Sequence, residues 1–343
     1  MAPLKRKGAK DRRKVIDIYG IGALNLDFIY EVSRLRDVSV PGLNLTHGGE
    51  VVGSSAALAA LRGALDRAGT LKKVSPGGSA SNTCHVLALM GYRAGLVGVL
   101  GRDGPGDRYL DAVKGVDTEG VVRKGRTGLA YIINGEQRDR SIVVFADPGS
   151  ELLETEVDET RLASSRWIHM TSFVSPRCLE TQMRLKHALR ERVAFSVDPG
   201  EIYAAMGREV EPLLAGIEVL FTSQKEIEAL FGCGLDEAVR KALGLAKCVV
   251  LKRGRQGAAL FMEGFSCAAA TDSVDGVDNT GAGDVLNGVF LGLYLRGVEP
   301  ALALQVATRA ASSSIKGYGR DAYPDGGTIE GLYEDMLVHQ RKR

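Results

Sequence analysis

Apolar runs of strand length recur along the chain, each separated from the next by a stretch with helical spacing, and this alternation constrains the fold more than any other feature. Val15 to Gly22, Ala94 to Leu100, Trp167 to Met170, Val193 to Val197, Val219 to Thr222 and Cys248 to Lys252 are expected as core strands. Such strands alternating with helices imply a mostly parallel sheet with helices on both faces. Leu129 to Asn134 and Ser141 to Ala146 differ, because they flank the polar Gly135 to Arg140 and so read as a hairpin projecting from the sheet. With 343 residues and 45% hydrophobic content the chain can bury a sizeable core.

Near the C-terminal third stands Val277-Asp278-Asn279-Thr280-Gly281-Ala282-Gly283-Asp284. Val285, Leu286, Val289, Phe290 and Leu293 then recur at helical spacing, which puts Gly281 to Gly283 at a helix N-terminus. Unpaired N–H groups and the positive end of the helix dipole meet there, and glycine lets an anion approach the main chain. A carboxylate repels phosphate. Asp284 in such a cradle makes chemical sense as a base that takes the proton from a hydroxyl attacking the phosphorus. The glycines alone fit packing or capping equally well.

A second glycine pair, Gly77-Gly78, opens the segment Ser79-Ala80-Ser81-Asn82, where Ala80, Cys84, Leu87 and Met90 keep helical spacing. Ser79 and Asn82 then sit in the first turn beside the glycine amides, an array that suits a polyol and also suits simple capping. Earlier, an apolar strand ends in Gly20-Ile21-Gly22 and presents Asn25 and Asp27 two residues apart, on one side of an extended chain. No third glycine follows at the spacing of a dinucleotide site. Ser223 and Glu226 fit a capping box at a strand-to-helix junction, and Lys252 to Gly257 form a glycine-containing turn after another strand.

The Asp-x-Thr-Gly-Ala-Gly-Asp run, with the Asn-x-Asp and Gly-Gly-x-x-x-Asn segments in the same order, resembles the signature of the ribokinase (PfkB) family of sugar and nucleoside kinases. The resemblance extends from about Val15 to Glu334. It implies a ribokinase-like three-layer α/β fold with a small β lid, drawn from segments near 28–50 and 128–146. It assigns the catalytic base to Asp284 and the cradle for the moving phosphoryl group to the amides of Gly281, Ala282 and Gly283. Acceptor hydroxyls would meet Asn25, Asp27, Gly77, Gly78, Ser79 and Asn82. Glu226 would organise Mg2+ through water, beside Ser223 where the family has asparagine, while Lys252, Gly254 and Gly257 would follow the nucleotide. Asp278 and Thr280 would support a monovalent cation such as K+. Between Asp27 and Gly77 the chain is longer than in the shortest sugar kinases of the family. There Ser54 to Arg67 reads as an added helix, a layout more like that of adenosine kinases.

The implied reaction moves the terminal phosphoryl group of Mg–ATP or Mg–ADP to a primary hydroxyl of a small sugar, including a sugar phosphate such as ribose 1-phosphate. A nucleoside kinase is the alternative enzyme, and a non-catalytic ligand sensor the alternative of another class. Arg138 and Arg140 at the hairpin tip, with Arg102 in another turn, would suit a phosphorylated acceptor; equally, they are charges on solvated turns. The first fourteen residues hold seven basic residues and one acid, so the remaining chain is net acidic. That segment reads as a disordered leader, with residues 15–343 as the kinase domain. Neither a signal peptide nor a membrane span is read, and the five scattered cysteines suit reduced thiols in the cytoplasm. No nucleic-acid or membrane partner is expected, and a homodimer is left open.

Overall fold

The computed structural model describes residues 15–135, 140–272 and 276–341. The basic leader and Arg138 lie outside the described residues. The large sheet contains β1 (Ile18–Ile21), β5 (Ala94–Leu100), β6 (Val116–Arg123), β9 (Trp167–Thr171), β10 (Ala194–Asp198), β11 (Ile217–Ser223), β12 (Ala246–Lys252), β13 (Ala258–Met262) and β14 (Phe265–Ala269). Its order is β14-β13-β12-β11-β10-β9-β1-β5-β6, parallel from β12 to β6 and closed at one edge by the antiparallel β13 and β14. One apolar cluster, with Leu87, Val289, Phe290 and Val306, covers one face. A second, with Leu179, Leu185, Leu213 and Ile227, covers the other. Two helical layers around a parallel sheet are what the alternation of the sequence requires.

The smaller sheet has order β3-β8-β7-β2-β4, from β2 (Asn25–Val32), β3 (Glu50–Val52), β4 (Gly69–Pro76), β7 (Gly128–Asn134) and β8 (Arg140–Phe145). β7 and β8 pair antiparallel as the expected hairpin. Because side chains alternate across a strand, Tyr131, Ile133, Val143 and Phe145 point to one face. The helix Ser55–Ala68 seals that face with Leu61 and Leu65, both fully buried, each stabilising the contact by roughly 1.5–3 kcal/mol. Ile29, Ala130, Ile132 and Val144 form the opposite face. The added helix is thus the back of the lid, and the lid also takes a strand, β4, from beyond the segments near 28–50 and 128–146. No helix among the described residues is long and apolar enough to cross a membrane.

Candidate active site

The carboxyl ends of parallel strands converge on one edge of a sheet, and ligand crevices form there. Here β10 ends on Asp198, β11 on Ser223 and β12 on Lys252. Lys252 Nζ bonds Asp198 Oδ2 at 2.6 Å, and Asn287 Nδ2 donates to the same oxygen at 2.7 Å. Burial alone would raise the Asp198 carboxyl, but the Lys252 ammonium and the Asn287 amide hold it below the usual carboxylate range. Burial would likewise lower Lys252, yet Asp198 and Glu226 hold its ammonium above the ordinary lysine range. Lys252 is therefore a fixed cation, whereas its neighbour Arg253 is exposed.

The helix Ala282–Leu295 starts against this pair. Gly281 caps it with φ +77°, a left-handed backbone that favours glycine, and a Cβ there would run into the Tyr323 hydroxyl. A side-chain β-carbon on Gly283 would sit 3.4 Å from Lys252 Cδ, so the lysine stem lies along the helix start. The Ala282 amide is turned toward the Asn279 carbonyl at 3.3 Å, a weak bond inside the cradle.

Asp284, in the first turn, meets the other glycine-initiated helix, Ser79–Leu89. Ser79 Oγ donates to Asp284 Oδ1, and Asn82 Nδ2 donates to Oδ2 at 2.8 Å. Burial raises the Asp284 carboxyl to about 6, while these two donors restrain the rise. Asp27 at the lid base is 8% exposed, and burial raises it well above the carboxylate range against the pull of Arg320. The room for it comes from Gly77, where a Cβ would overlap the Asp27 carboxylate.

Two cavities share a border at Lys252 and Gly283. One of about 520 Å³ is lined by Gly254, Gly257, Asp278, Ala311 and Ile315 among others. Its neighbour of about 230 Å³ lies under the lid and is lined by Asn25, Asp27, Gly78, Ser79, Asn82 and Asp284 among others. Lys252 and Gly283 border both.

The other residues singled out from the sequence separate. Glu226 and Thr280 line the smaller cavity, but Ser223 lines neither, and the capping box forms: Ser223 N donates to Glu226 Oε2 at 2.7 Å, and Glu226 N to Ser223 Oγ at 3.3 Å. Asp278 is buried and tied to its own chain, accepting from the amides of Thr280 and Gly319 at 3.0 Å each and from Asn134 Nδ2 at 3.4 Å. Arg140 borders the smaller cavity and donates to the Asn279 carbonyl at 3.1 Å. Arg102 borders neither cavity and donates to the Arg123 carbonyl at 2.9 Å, so it does not join Arg140.

Sequence reasoning missed Asp198, Glu50, Arg320 and Tyr323. Asp198 had a signal, since it ends a strand just before Pro199-Gly200. Glu50 belongs to a three-residue strand and is raised to about 7 by burial and by the charge of Glu201.

The profile of the pfkB family carbohydrate kinases matches residues 49–324. An uncharacterized sugar kinase of Archaeoglobus fulgidus is 30% identical over 69% of this chain and 98% of its own length. An ATP-dependent ribose-1-phosphate kinase of Halopiger xanaduensis is 28% identical over 78% of this chain and 89% of its own. In three dimensions the chain is similar to adenosine kinase from Sinorhizobium meliloti, with a TM-score of 0.81 over 92% of this chain and 99% of that one at 20% identity, a likeness of fold. The chain therefore belongs to the pfkB family of carbohydrate kinases, phosphotransferases that act on an alcohol group.

Proposed function

We propose that the protein transfers the terminal phosphoryl group of ATP to a primary hydroxyl of a small sugar, with Asp284 as the base. The observation that carries this reading is the position of Asp284, which lines the smaller cavity directly after Gly283, a residue that borders both. The larger cavity takes the nucleotide along Gly254 and Gly257, and the smaller takes the acceptor under the lid. Asp284 removes the hydroxyl proton as the oxygen bonds to phosphorus and the bond to the departing nucleotide oxygen breaks. A carboxyl at about 6 is mostly ionised at neutral pH yet basic enough for the task. Gly281 and Gly283 present the helix N-terminus to the moving group, and Lys252 adds a fixed positive charge between the cavities. Asn25, Asp27, Ser79 and Asn82 hold the acceptor hydroxyls, and the lid limits competing water.

Mg2+ supplies charge neutralisation on the nucleotide phosphates. Among the described residues no group of three acidic, histidine or cysteine side chains could hold a metal by itself. An ion held largely by phosphates and water would need no such group, and Glu226 would orient it through water.

A nucleoside acceptor is the second reading, favoured by the apolar wall that Ala130, Ile132, Ile142 and Val144 of the lid present with Val174 and Ile202. A phosphorylated acceptor such as ribose 1-phosphate draws support from the Halopiger relative and would rest on Arg140 in the described site. A panel of pentoses, hexoses, sugar phosphates and nucleosides, each with ATP and ADP, tests these readings. Transfer to a sugar with ATP is expected; a clear preference for nucleosides would replace the acceptor, and one for ADP the donor.

A further inference from the structure

The segment Tyr318 to Tyr323 touches the lid at Glu31 and Lys73 and the start of the helix Ala282–Leu295 at Gly281. Its Arg320 lines neither cavity, yet its guanidinium reaches the helix that carries Asn82. Arg320 Nε donates to Asn82 Oδ1 at 2.9 Å, and Nη2 donates to Ser81 Oγ at 2.7 Å. Asn82 in turn donates through Nδ2 to Asp284 Oδ2 at 2.8 Å. An asparagine amide has one accepting and one donating end, of nearly the same shape. A cation at the oxygen end and a carboxylate at the nitrogen end fix which way it points. Flipping the amide would set oxygen against carboxylate and nitrogen against guanidinium, two repulsive contacts in a buried place. Asn82 is 7% exposed and Ser81 is fully buried, so water is a poor substitute for either partner.

The same segment is anchored elsewhere. Asp321 accepts from Lys73 of β4 at 2.8 Å, the Tyr318 hydroxyl bonds the Glu31 carboxylate of β2, and the Tyr323 hydroxyl lies where a Cβ of Gly281 would be. Arg320 is thus held from both sides, by the lid and by the phosphoryl cradle.

We propose that Arg320 is a positioning residue for phosphoryl transfer: it fixes the Asn82 amide so that its N–H end faces Asp284. The inference rests on the role of Asp284 given above. It assigns to Arg320 no contact with either substrate; its effect on kcat should run through Asn82, while the pull of its charge on Asp27 would show in the acceptor KM.

A double-mutant cycle tests this. Arg320→Ala, Asn82→Ala and the pair are compared by kcat, by KM for each substrate and by thermal melting. Arg320→Ala is expected to lower kcat by ~10- to 100-fold while changing the KM for ATP by less than ~3-fold, since bonds to charged groups contribute on the order of 1.5–3 kcal/mol. In the Asn82→Ala background the same change should cost less than ~3-fold, because residues in one chain of hydrogen bonds are not additive. Guanidinium ion should restore part of the lost kcat in Arg320→Ala and none in the double variant. Should Arg320→Ala fail to fold, Arg320→Lys takes its place, keeping the charge but losing the planar fork, with the same loss expected. Additive losses, or an unchanged kcat, overturn the inference. Absence of phosphoryl transfer in the wild type, or wild-type turnover in Asp284→Asn, overturns the kinase reading instead and this inference with it.

Discussion

The two sides of the reaction cleft are built by different means. Under the lid, charged and amide side chains share the wall with an apolar patch: Asp27, Glu50, Asn82, Arg140, Glu201 and Asp284 crowd a cavity of about 230 Å³ beside Ile132, Val144 and Ile202. Across Gly283 the cavity of about 520 Å³ has the more apolar wall, with Val277, Leu286, Ala311 and Ile315 beside the turn at Gly254 and Gly257 and the polar Asp272 and Thr308. A ligand on the first side would be read by directional hydrogen bonds, each costly to lose. On the second it would be held by shape and backbone, which single substitutions disturb less. Discrimination between acceptors should therefore lie in a few lid-side residues, and tolerance in the donor walls.

The largest effect should come from the junction. Asp284→Asn is expected to lower turnover by ~10² to 10⁴ while leaving both ligands bound, as measured by steady-state kinetics beside calorimetry. A loss of binding in place of turnover would make Asp284 a binding residue of the smaller cavity and not the base beside the shared border.

Asp27→Ala comes next. If its hydrogen bonds to acceptor hydroxyls are lost in a buried place, acceptor affinity should weaken by on the order of 1–3 kcal/mol while ATP affinity stays the same. Equal losses for both ligands in calorimetry would dissolve the distinction between the two sides.

The pH profile offers a third handle. Burial raises Asp284 to about 6, so the base is ionised and active above that pH and protonated below it. The acid limb of kcat/KM should fall roughly tenfold per unit below about pH 6. A limb near pH 4 would mean that the carboxyl is not desolvated as described. On the donor wall, Ala311→Phe narrows the larger cavity and should raise the KM for ATP by ~10-fold at most, at an overpacking cost of ~1–3 kcal/mol seen in melting. Acceptor KM should not follow. The smallest change is expected from Glu226→Gln, a ~2- to 5-fold rise in the Mg2+ needed for half activity, because the ion relies mainly on phosphates and water.

The difference between the sides also governs what could be read in advance. Buried parallel strands were legible because both faces are apolar: Ala94–Leu100 stands at the expected bounds. The edge strands β4 and β6 were not. β4 carries Lys72 and Lys73, which pair with Glu31 and Asp321, and β6 carries Asp117 and Glu119, which pair with Arg161. Their polar character comes from exposed edges and hides the strand pattern. In the site, the glycine-to-carboxylate run located Asp284, and the Gly-Gly segment located Asn82, since a helix start leaves a local mark. Arg320 left none. It sits in a short coil, and only the fold brings it to a residue 238 positions earlier. Arg102 and Arg140 likewise shared composition but not a place: Arg102 turns back on the Arg123 carbonyl, whereas Arg140 borders the smaller cavity.

Two ligands bound in the adjoining cavities should exchange a phosphoryl group beside Asp284. Phosphorus NMR of the wild-type protein with Mg–ATP and the best acceptor of the panel tests it most directly. One new phosphomonoester resonance on a primary hydroxyl is expected for each ADP released, with both signals growing ~10² to 10⁴ times more slowly in Asp284→Asn. Release of ADP and inorganic phosphate without a phosphorylated acceptor, or transfer at the wild-type rate in Asp284→Asn, would contradict it.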